Sequence, residues 1–187
     1  MNTLQEKFEK EIKKDLLKKL EKGNVHAVPT LAKITVNMGI GRFKDDKQYK
    51  ESCIRDLEQI TGQKPQVTKS KKSIASFKLR KGEDVGVCVT LRGVKMWDFF
   101  QNLVCVVLPR VRDFRGISKK SFDGHGNCSI GFREHLVFPT IDSNKIEKIK
   151  SLQVVITTTA SNDSDGYLLL KALGMPFKKE LKPIKNA

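Results

Sequence analysis

Two stretches of strict alternation restrict what this chain can fold into. Ile34, Val36, Met38 and Ile40 alternate with Thr35, Asn37, Gly39 and Gly41, and Val85, Val87, Val89 and Leu91 alternate with Gly86, Cys88, Thr90 and Arg92. Successive side chains of a strand point to opposite faces, so each stretch buries one face and wets the other. Clean alternation of this kind belongs to an antiparallel sheet covered on one side only. It predicts that Asn37, Thr90 and Arg92 lie on the open side.

The remaining segments supply the cover. Leu4, Phe8, Ile12, Leu16, Leu17 and Leu20 recur at helical spacing among Lys and Glu, with Gly23-Asn24 as a stop signal. Tyr49, Cys53, Leu57 and Ile60 predict a second helix closed by Gly62, and Pro65 leads into a short strand over residues 66–69. Residues 70–84 lose all period and predict a long, mobile, basic loop. Residues 96–108 are apolar nearly all round, which predicts the most buried helix. Loops with short strands are expected at 110–116 and 121–131. Leu152, Val154 and Ile156 open a last strand, and an acidic helix start at 162–165 precedes Tyr167, Leu168, Leu170 and Leu173. No repeat or linker divides the chain. The class is α+β: a mainly antiparallel sheet, helices on one face and a long basic loop, in a ferredoxin-like or RRM-like arrangement. One domain is expected over residues 1–179, with a disordered tail at 180–187.

Charge narrows the function. The 36 Lys+Arg against 21 Asp+Glu give a formal charge of +15. Self-repulsion of this size is kept where a polyanion offsets it, and nucleic acid is the commonest one. Between residues 64 and 95 stand Lys64, Lys69, Lys71, Lys72, Lys78, Arg80, Lys81, Arg92 and Lys95, against Glu83 and Asp84, with Phe77 and Gly82 interleaved. RNA fits better than DNA, because no helix is a basic, groove-sized reading helix. The aromatic signature of base-stacking sheets is missing, so stacking on the sheet is not expected.

Other classes find little support. The longest apolar run, residues 103–108, is far too short to span a bilayer, and the polar start at Met1 carries no signal core, so a cytoplasmic location without membrane contact is expected. Cys53, Cys88, Cys105 and Cys128 form no C-x-x-C, so reduced thiols are expected, with no metal. His26, His125 and His135 are scattered and expected at the surface or in loops. Gly39-Ile40-Gly41 lacks the third glycine and the acidic residue of a dinucleotide loop. The chain is therefore read as non-enzymatic, without cofactor, small-molecule substrate or homo-oligomer. An RNA-modifying enzyme on a basic scaffold and a free-standing RNA chaperone remain alternatives on charge alone.

Longer strings carry a family resemblance: Ile34-Thr35-Val36-Asn37-Met38-Gly39-Ile40-Gly41, Thr61-Gly62-Gln63-Lys64-Pro65, Lys71-Lys72-Ser73-Ile74-Ala75-Ser76-Phe77-Lys78-Leu79-Arg80, Val89-Thr90-Leu91-Arg92-Gly93, Pro109-Arg110-Val111-Arg112-Asp113-Phe114-Arg115-Gly116, Ser121-Phe122-Asp123-Gly124 and Thr157-Thr158-Thr159-Ala160. In this order, over about residues 3–179, the chain resembles the bacterial large-subunit ribosomal protein L-five family, the binders of 5S ribosomal RNA. The resemblance implies that the protein holds 5S rRNA against 23S rRNA in the central protuberance. It carries the 5S-binding polar cluster onto Asn37, Gln63, Thr90 and Arg92, beside which Gly39, Gly41 and Lys64 are expected to meet the RNA. It implies that the basic loop reaches the backbone of P-site tRNA, through Lys71, Lys72, Ser73, Phe77, Lys78, Arg80 and Lys81. It also implies an intersubunit bridge to the small-subunit protein S-thirteen, for which Arg110, Arg112, Arg115 and His135 are the candidates. Two positions depart from the family pattern: His125, where Arg is frequent, and Cys128, where an aromatic residue is common.

Overall fold

Both alternating stretches are strands, β1 over Leu31–Gly39 and β3 over Asp84–Leu91. The computed structural model describes residues 3–43, 46–142 and 148–178; the expected tail at 180–187 lies outside them. Ile34, Val36, Met38, Val87, Val89 and Leu91 are all buried, while Asn37 is half-exposed and Thr90 and Arg92 are exposed. The short strand after Pro65 is β2, Gln66–Lys69. With β4 at Cys128–Phe132 and β5 at Leu152–Thr158 it completes a five-stranded sheet in the order β2-β3-β1-β5-β4. Every neighbouring pair is antiparallel. Without β4, the order is that of the ferredoxin-like β-α-β-β-α-β unit, and β4 adds an edge strand.

Helices cover the apolar face. In the Lys47–Thr61 helix the side chain of Asp46 accepts a hydrogen bond from the Tyr49 N–H at 3.1 Å, and Gly62 closes the other end in the left-handed conformation at φ 63°. Between these caps Tyr49, Cys53, Leu57 and Ile60 form the buried stripe that the three-to-four-residue spacing predicts. The Gly93–Asn102 helix continues through a π-helical turn at Leu103–Val107 into Leu108–Arg110. Trp97, Phe100, Leu103 and Leu108 are buried, but Cys105 and Val106 face solvent, so this helix is buried on one side and not all round.

The N-terminal helix runs Thr3–Lys7, Phe8–Ile12 and Lys13–Lys19, the middle piece again π-helical. Phe8 packs on Trp97 with ring centroids 5.3 Å apart. This helix stops earlier than its glycine suggests. Glu21 takes a left-handed φ of 50°, and the Lys22 N–H reaches back to the Leu17 carbonyl at 3.3 Å, a Schellman closure that needs no glycine here. Asn24 instead caps the next turn, accepting from the His26 N–H at 2.9 Å. The last helix, Asp163–Ala172, starts after Asn162 with Asp163 and Asp165 in its first turn, as expected of acids at a helix N-terminus.

Residues 70–83 carry more structure than the missing period suggests. The Ser70 N–H donates to the Glu83 carbonyl at 2.8 Å, and Ile74 and Leu79 exchange backbone bonds of 2.9 and 3.1 Å around a turn at Ala75–Phe77. The segment is an irregular extension of the β2–β3 hairpin.

Candidate nucleic-acid interface

Strand pairing puts the outward residues of all five strands in rows. Gln66 stands opposite Cys88, Cys88 opposite Asn37, Asn37 opposite Gln153 and Gln153 opposite Gly131. One step along the pleat, Thr90, Thr35, Val155 and Ser129 form a second row. Strands lie about 4.8 Å apart, so the first row crosses roughly 19 Å of sheet. Neither row holds an aromatic ring or a charge. The two rows make a field of amides, hydroxyls and small side chains, able to donate to and accept from sugar hydroxyls, base edges and phosphate oxygens.

Gln63 joins this field from the loop after the Lys47–Thr61 helix, because its Nε2 donates to the Thr90 carbonyl at 3.3 Å. Arg92 leaves β3 still extended, at φ −140° and ψ 164°, with its side chain exposed. Lys64 is exposed nearby, and Lys95 Nζ donates to the Gly62 carbonyl at 3.3 Å. Asn37, Gln63, Thr90 and Arg92 are thus gathered at the β1–β3 pair, with a cationic rim. Gly39 pairs with Gly86 at the strand end, and Gly41 has left the strand for the Gly41–Phe43 turn. Neither has a positive φ, and no heavy atom lies within 4 Å of where a Cβ would stand on either, so what these glycines leave is open backbone surface. Gly86 differs: a Cβ there would sit 2.9 Å from Thr68 Oγ1 and 3.1 Å from the Met38 carbonyl oxygen. Alternation in the sequence did not reveal that constraint.

The basic hairpin is a second region. Lys71, Lys72, Ser73, Phe77, Lys78, Arg80 and Lys81 are all exposed, Phe77 by 70%. The two local acids are engaged, Asp84 in an ion pair with Lys50 and Glu83 in accepting the Arg80 N–H at 3.1 Å. Ser73 braces the hairpin, its Oγ accepting from the Lys81 N–H at 3.0 Å.

A third region separates the bridge candidates. Arg110, Arg112 and Arg115 are exposed, and Arg112 with Val111, Phe114, Phe132 and Arg133 lines a groove of about 400 Å³ beside β4. His135, expected at the surface or in a loop, stands in the turn His135–Val137 but not at the surface. It is fully buried, its Nδ1 accepts the Lys150 N–H at 3.2 Å, and its Nε2 faces Asp56 Oδ2 at 3.3 Å. An Nδ1 that accepts leaves the proton on Nε2, so the ring stands as the Nε2–H tautomer toward the carboxylate. Lys150, 3% exposed, completes the cluster through Ser52 and Asp56. Burial pushes the Asp56 carboxyl up, but the His135 and Lys150 contacts outweigh it and hold the group below its ordinary value. This imidazole ties the β4–β5 connection to the Lys47–Thr61 helix and does not face a partner. His26 and His125 are exposed as expected.

The 121–131 region is fixed by its own bonds. Asp163 accepts from the Gly124 and Gly126 N–H groups at 3.2 and 2.8 Å, and Asn127 Nδ2 donates to Asp123 Oδ2 at 2.7 Å, which holds the Asp123 carboxyl low. Cys128 is fully buried opposite Ile156, and burial pushes its thiol up to about 12. It fills core space. Among the described residues no group of His, Cys, Asp and Glu is arranged to hold a metal ion, and no helix is long and apolar enough to cross a membrane.

Known proteins resemble the chain over nearly all of its length. Residues 24–80 match the model of the family described as ribosomal protein L5, and residues 84–177 match the model that describes the C-terminus of the same ribosomal family. The single sheet draws β1 and β2 from the first region and β3, β4 and β5 from the second. The large ribosomal subunit protein uL5 of Anaeromyxobacter sp. (strain Fw109-5) is 50% identical over 176 residues, 94% of this chain and 98% of that one. The protein of the same name from Chloroflexus aurantiacus is 51% identical over 175 residues, 94% and 97% of the two chains.

Proposed function

From a chain that belongs to the ribosomal protein L5 family, and is thus a structural constituent of the large ribosomal subunit and not an enzyme, we infer that the open sheet face binds 5S ribosomal RNA. The protein works in translation, on ribosomal RNA, in the cytoplasm. The observation that carries the 5S reading is the gathering of Asn37, Gln63, Thr90 and Arg92 on one solvent-facing patch, with Gln63 braced against β3. Pre-set neutral donors and acceptors suit ribose hydroxyls and base edges, and Arg92 adds a charge-assisted bond to phosphate. Gly39, Gly41 and Lys64 border the patch and would let RNA backbone come close.

The finer roles are those the family resemblance implies, assigned to the remaining charged surfaces. Surplus positive charge away from the sheet offsets 23S rRNA and lets the protein link the two RNAs in the central protuberance. The exposed hairpin with Lys71, Lys72, Ser73, Phe77, Lys78, Arg80 and Lys81 reaches the backbone of P-site tRNA. Arg110, Arg112 and Arg115 form the intersubunit bridge to the small-subunit protein S-thirteen, with His135 supporting that region from within.

A gel-shift assay at fixed moderate salt tests the central claim. The protein should bind a 5S rRNA transcript in preference to an unrelated RNA of equal length, and should co-sediment with large subunits in a gradient. Equal binding to both RNAs, with the protein left at the top of the gradient, overturns it and favours a general RNA chaperone.

A further inference from the structure

We propose that the protein holds an unpaired RNA nucleotide away from the sheet, its base stacked on Tyr167 of the Asp163–Ala172 helix and its phosphates on the lysines beside that ring. The site is separate from the sheet patch, and its assignment does not rest on that one. The outward rows of the sheet carry neither ring nor charge, whereas here the two occur together. Phe122, Phe177 and Tyr167 are half-buried and form a series, with ring centroids 5.9 Å apart from Phe122 to Phe177 and 4.6 Å apart from Phe177 to Tyr167. Gly116 makes room for it. At φ 96° a Cβ there would lie 2.6 Å from the Lys178 nitrogen, so a glycine lets the two segments run side by side, with the Lys178 N–H donating to the Ile117 carbonyl at 2.9 Å. Two ammonium groups stand over the Tyr167 ring, Lys119 Nζ 5.3 Å and Lys171 Nζ 5.7 Å from its centroid. Lys120 and Lys178, next to Lys119 and Phe177 in the chain, are exposed as well.

Charge and ring together select the occupant. The acids of this region are engaged: Asp163 accepts from the Gly124 and Gly126 N–H groups, Asp165 pairs with Lys22 at 3.3 Å, and Asp123 holds Asn127 and the His125 N–H. The four lysines therefore keep a surplus of positive charge, which phosphates complement. An acidic peptide would match the lysines and leave the ring unused. A base uses both, since every base has a π-face and aromatic rings set among cations are the recurring platform for single strands. Bases inside a helix are stacked on their neighbours, so the nucleotide is an unpaired one. An ammonium more than 5 Å from a half-exposed ring holds it less strongly than a stacked base does. The base therefore takes the ring face, and the two ammonium groups move onto the flanking phosphates.

Fluorescein-labelled octaadenylate, titrated with the full chain by fluorescence anisotropy over a salt series, tests the site. Tyr167→Leu keeps an apolar side chain against Phe177 but has no π-face, and should weaken binding about fivefold or more, while Tyr167→Phe should stay within about twofold of the parent. Lys119→Gln with Lys171→Gln should flatten the slope of log K against log salt by about 1.4, at about 0.7 for each contact to a single strand. Octaglutamate, which carries charge without bases, should compete poorly. Parent-like binding by Tyr167→Leu, or octaglutamate competing as well as unlabelled octaadenylate, overturns the proposal. Should a thermal melt show Tyr167→Leu unfolded, Tyr167→Trp decides: its added emission should be quenched by unlabelled octaadenylate, and emission that saturating octaadenylate leaves unchanged overturns the site. Arg92→Ala should bind octaadenylate as the parent does while losing affinity for 5S rRNA. If Arg92→Ala loses octaadenylate and Tyr167→Leu does not, the oligonucleotide sits on the sheet, so this site is overturned and the sheet reading stands.

Discussion

The sheet face and the basic hairpin grow from the same strands, β2 and β3, yet they hold their RNA-facing groups in opposite ways. Under the sheet, Ile34, Val36, Val87 and Leu91 are buried to 0% exposure, so each outward amide and hydroxyl projects from a backbone that cannot shift. The hairpin has no such floor. Ile74 and Phe77 are exposed by 42% and 70%, and backbone bonds, the Ser73 brace and the Glu83 carboxylate on the Arg80 N–H hold its shape. A neutral hydrogen bond needs its partner placed to within a few tenths of an ångström, while a Coulombic attraction survives displacements of several ångströms. Amides are therefore useful on the rigid face and lysines on the loose one. The contrast amounts to geometric recognition on one surface and charge on the other.

Hydrogen exchange should expose the largest difference between the two. Amides of Val36 and Val89 are expected to open only with global unfolding, at about 5 to 15 kcal/mol, and those of residues 71–82 at close to zero, the hydrogen-bonded N–H groups of Ile74, Lys78, Leu79, Arg80, Lys81 and Gly82 excepted. Comparable protection in both regions would break the comparison at its root.

Next in size is the removal of a buried support. Asp56→Ala leaves the Lys150 ammonium unpaired at 3% exposure and should cost about 3 to 5 kcal/mol in chemical denaturation. The folded Asp56 carboxyl lies below its ordinary 3.8, so its contribution is present above that value and disappears as pH falls through the folded one. Stability of the parent should therefore lose this contribution only below about pH 4, and the Asp56→Ala protein should lack that part of the acid decline. A cost under about 1 kcal/mol would mean that Lys150 finds water instead.

Arg92→Ala should weaken 5S binding by about 1 to 3 kcal/mol, as expected for one charge-assisted hydrogen bond lost from a fixed site. The readout is a filter-binding titration at one salt concentration, with a thermal melt as control. Undiminished affinity would take Arg92 out of the site and leave the neutral cluster alone.

How much of this was legible beforehand differs by region for physical reasons. Alternation reports which face a residue takes, so Asn37 and Thr90 could be placed on the open side from β1 and β3 alone. It says nothing of register, which is why the row joining Asn37 to Gln153 and Gly131 emerges only once strands are paired. Leu152, Val154 and Ile156 did carry the signal that Gln153 faces out, without a neighbour to give it meaning. The Asp56, His135 and Lys150 cluster brings together residues from a helix, a turn and the approach to β5, and local pattern cannot show such a meeting. At Glu21 a backbone closure did what a glycine was expected to do. The apolar run at 96–108 misled because apolar composition marks what can be buried, and Cys105 and Val106 stay exposed.

The smallest expected change is also the most discriminating. Replacing Lys71, Lys72, Arg80 and Lys81 together by Ala removes four exposed charges from a segment without a core, so folding stability should move by less than about 0.5 kcal/mol. If the sheet alone holds 5S rRNA, its affinity should stay within about twofold and its salt slope should not change. Were those four side chains on 5S phosphates, the slope would flatten by about 3, since each contact contributes about 0.7 to 0.9. The same protein, assembled into ribosomes, should release P-site tRNA faster than the parent. A flattened 5S slope with normal tRNA retention would exchange the partners of the two regions, and charge would then be holding the RNA assigned to the sheet.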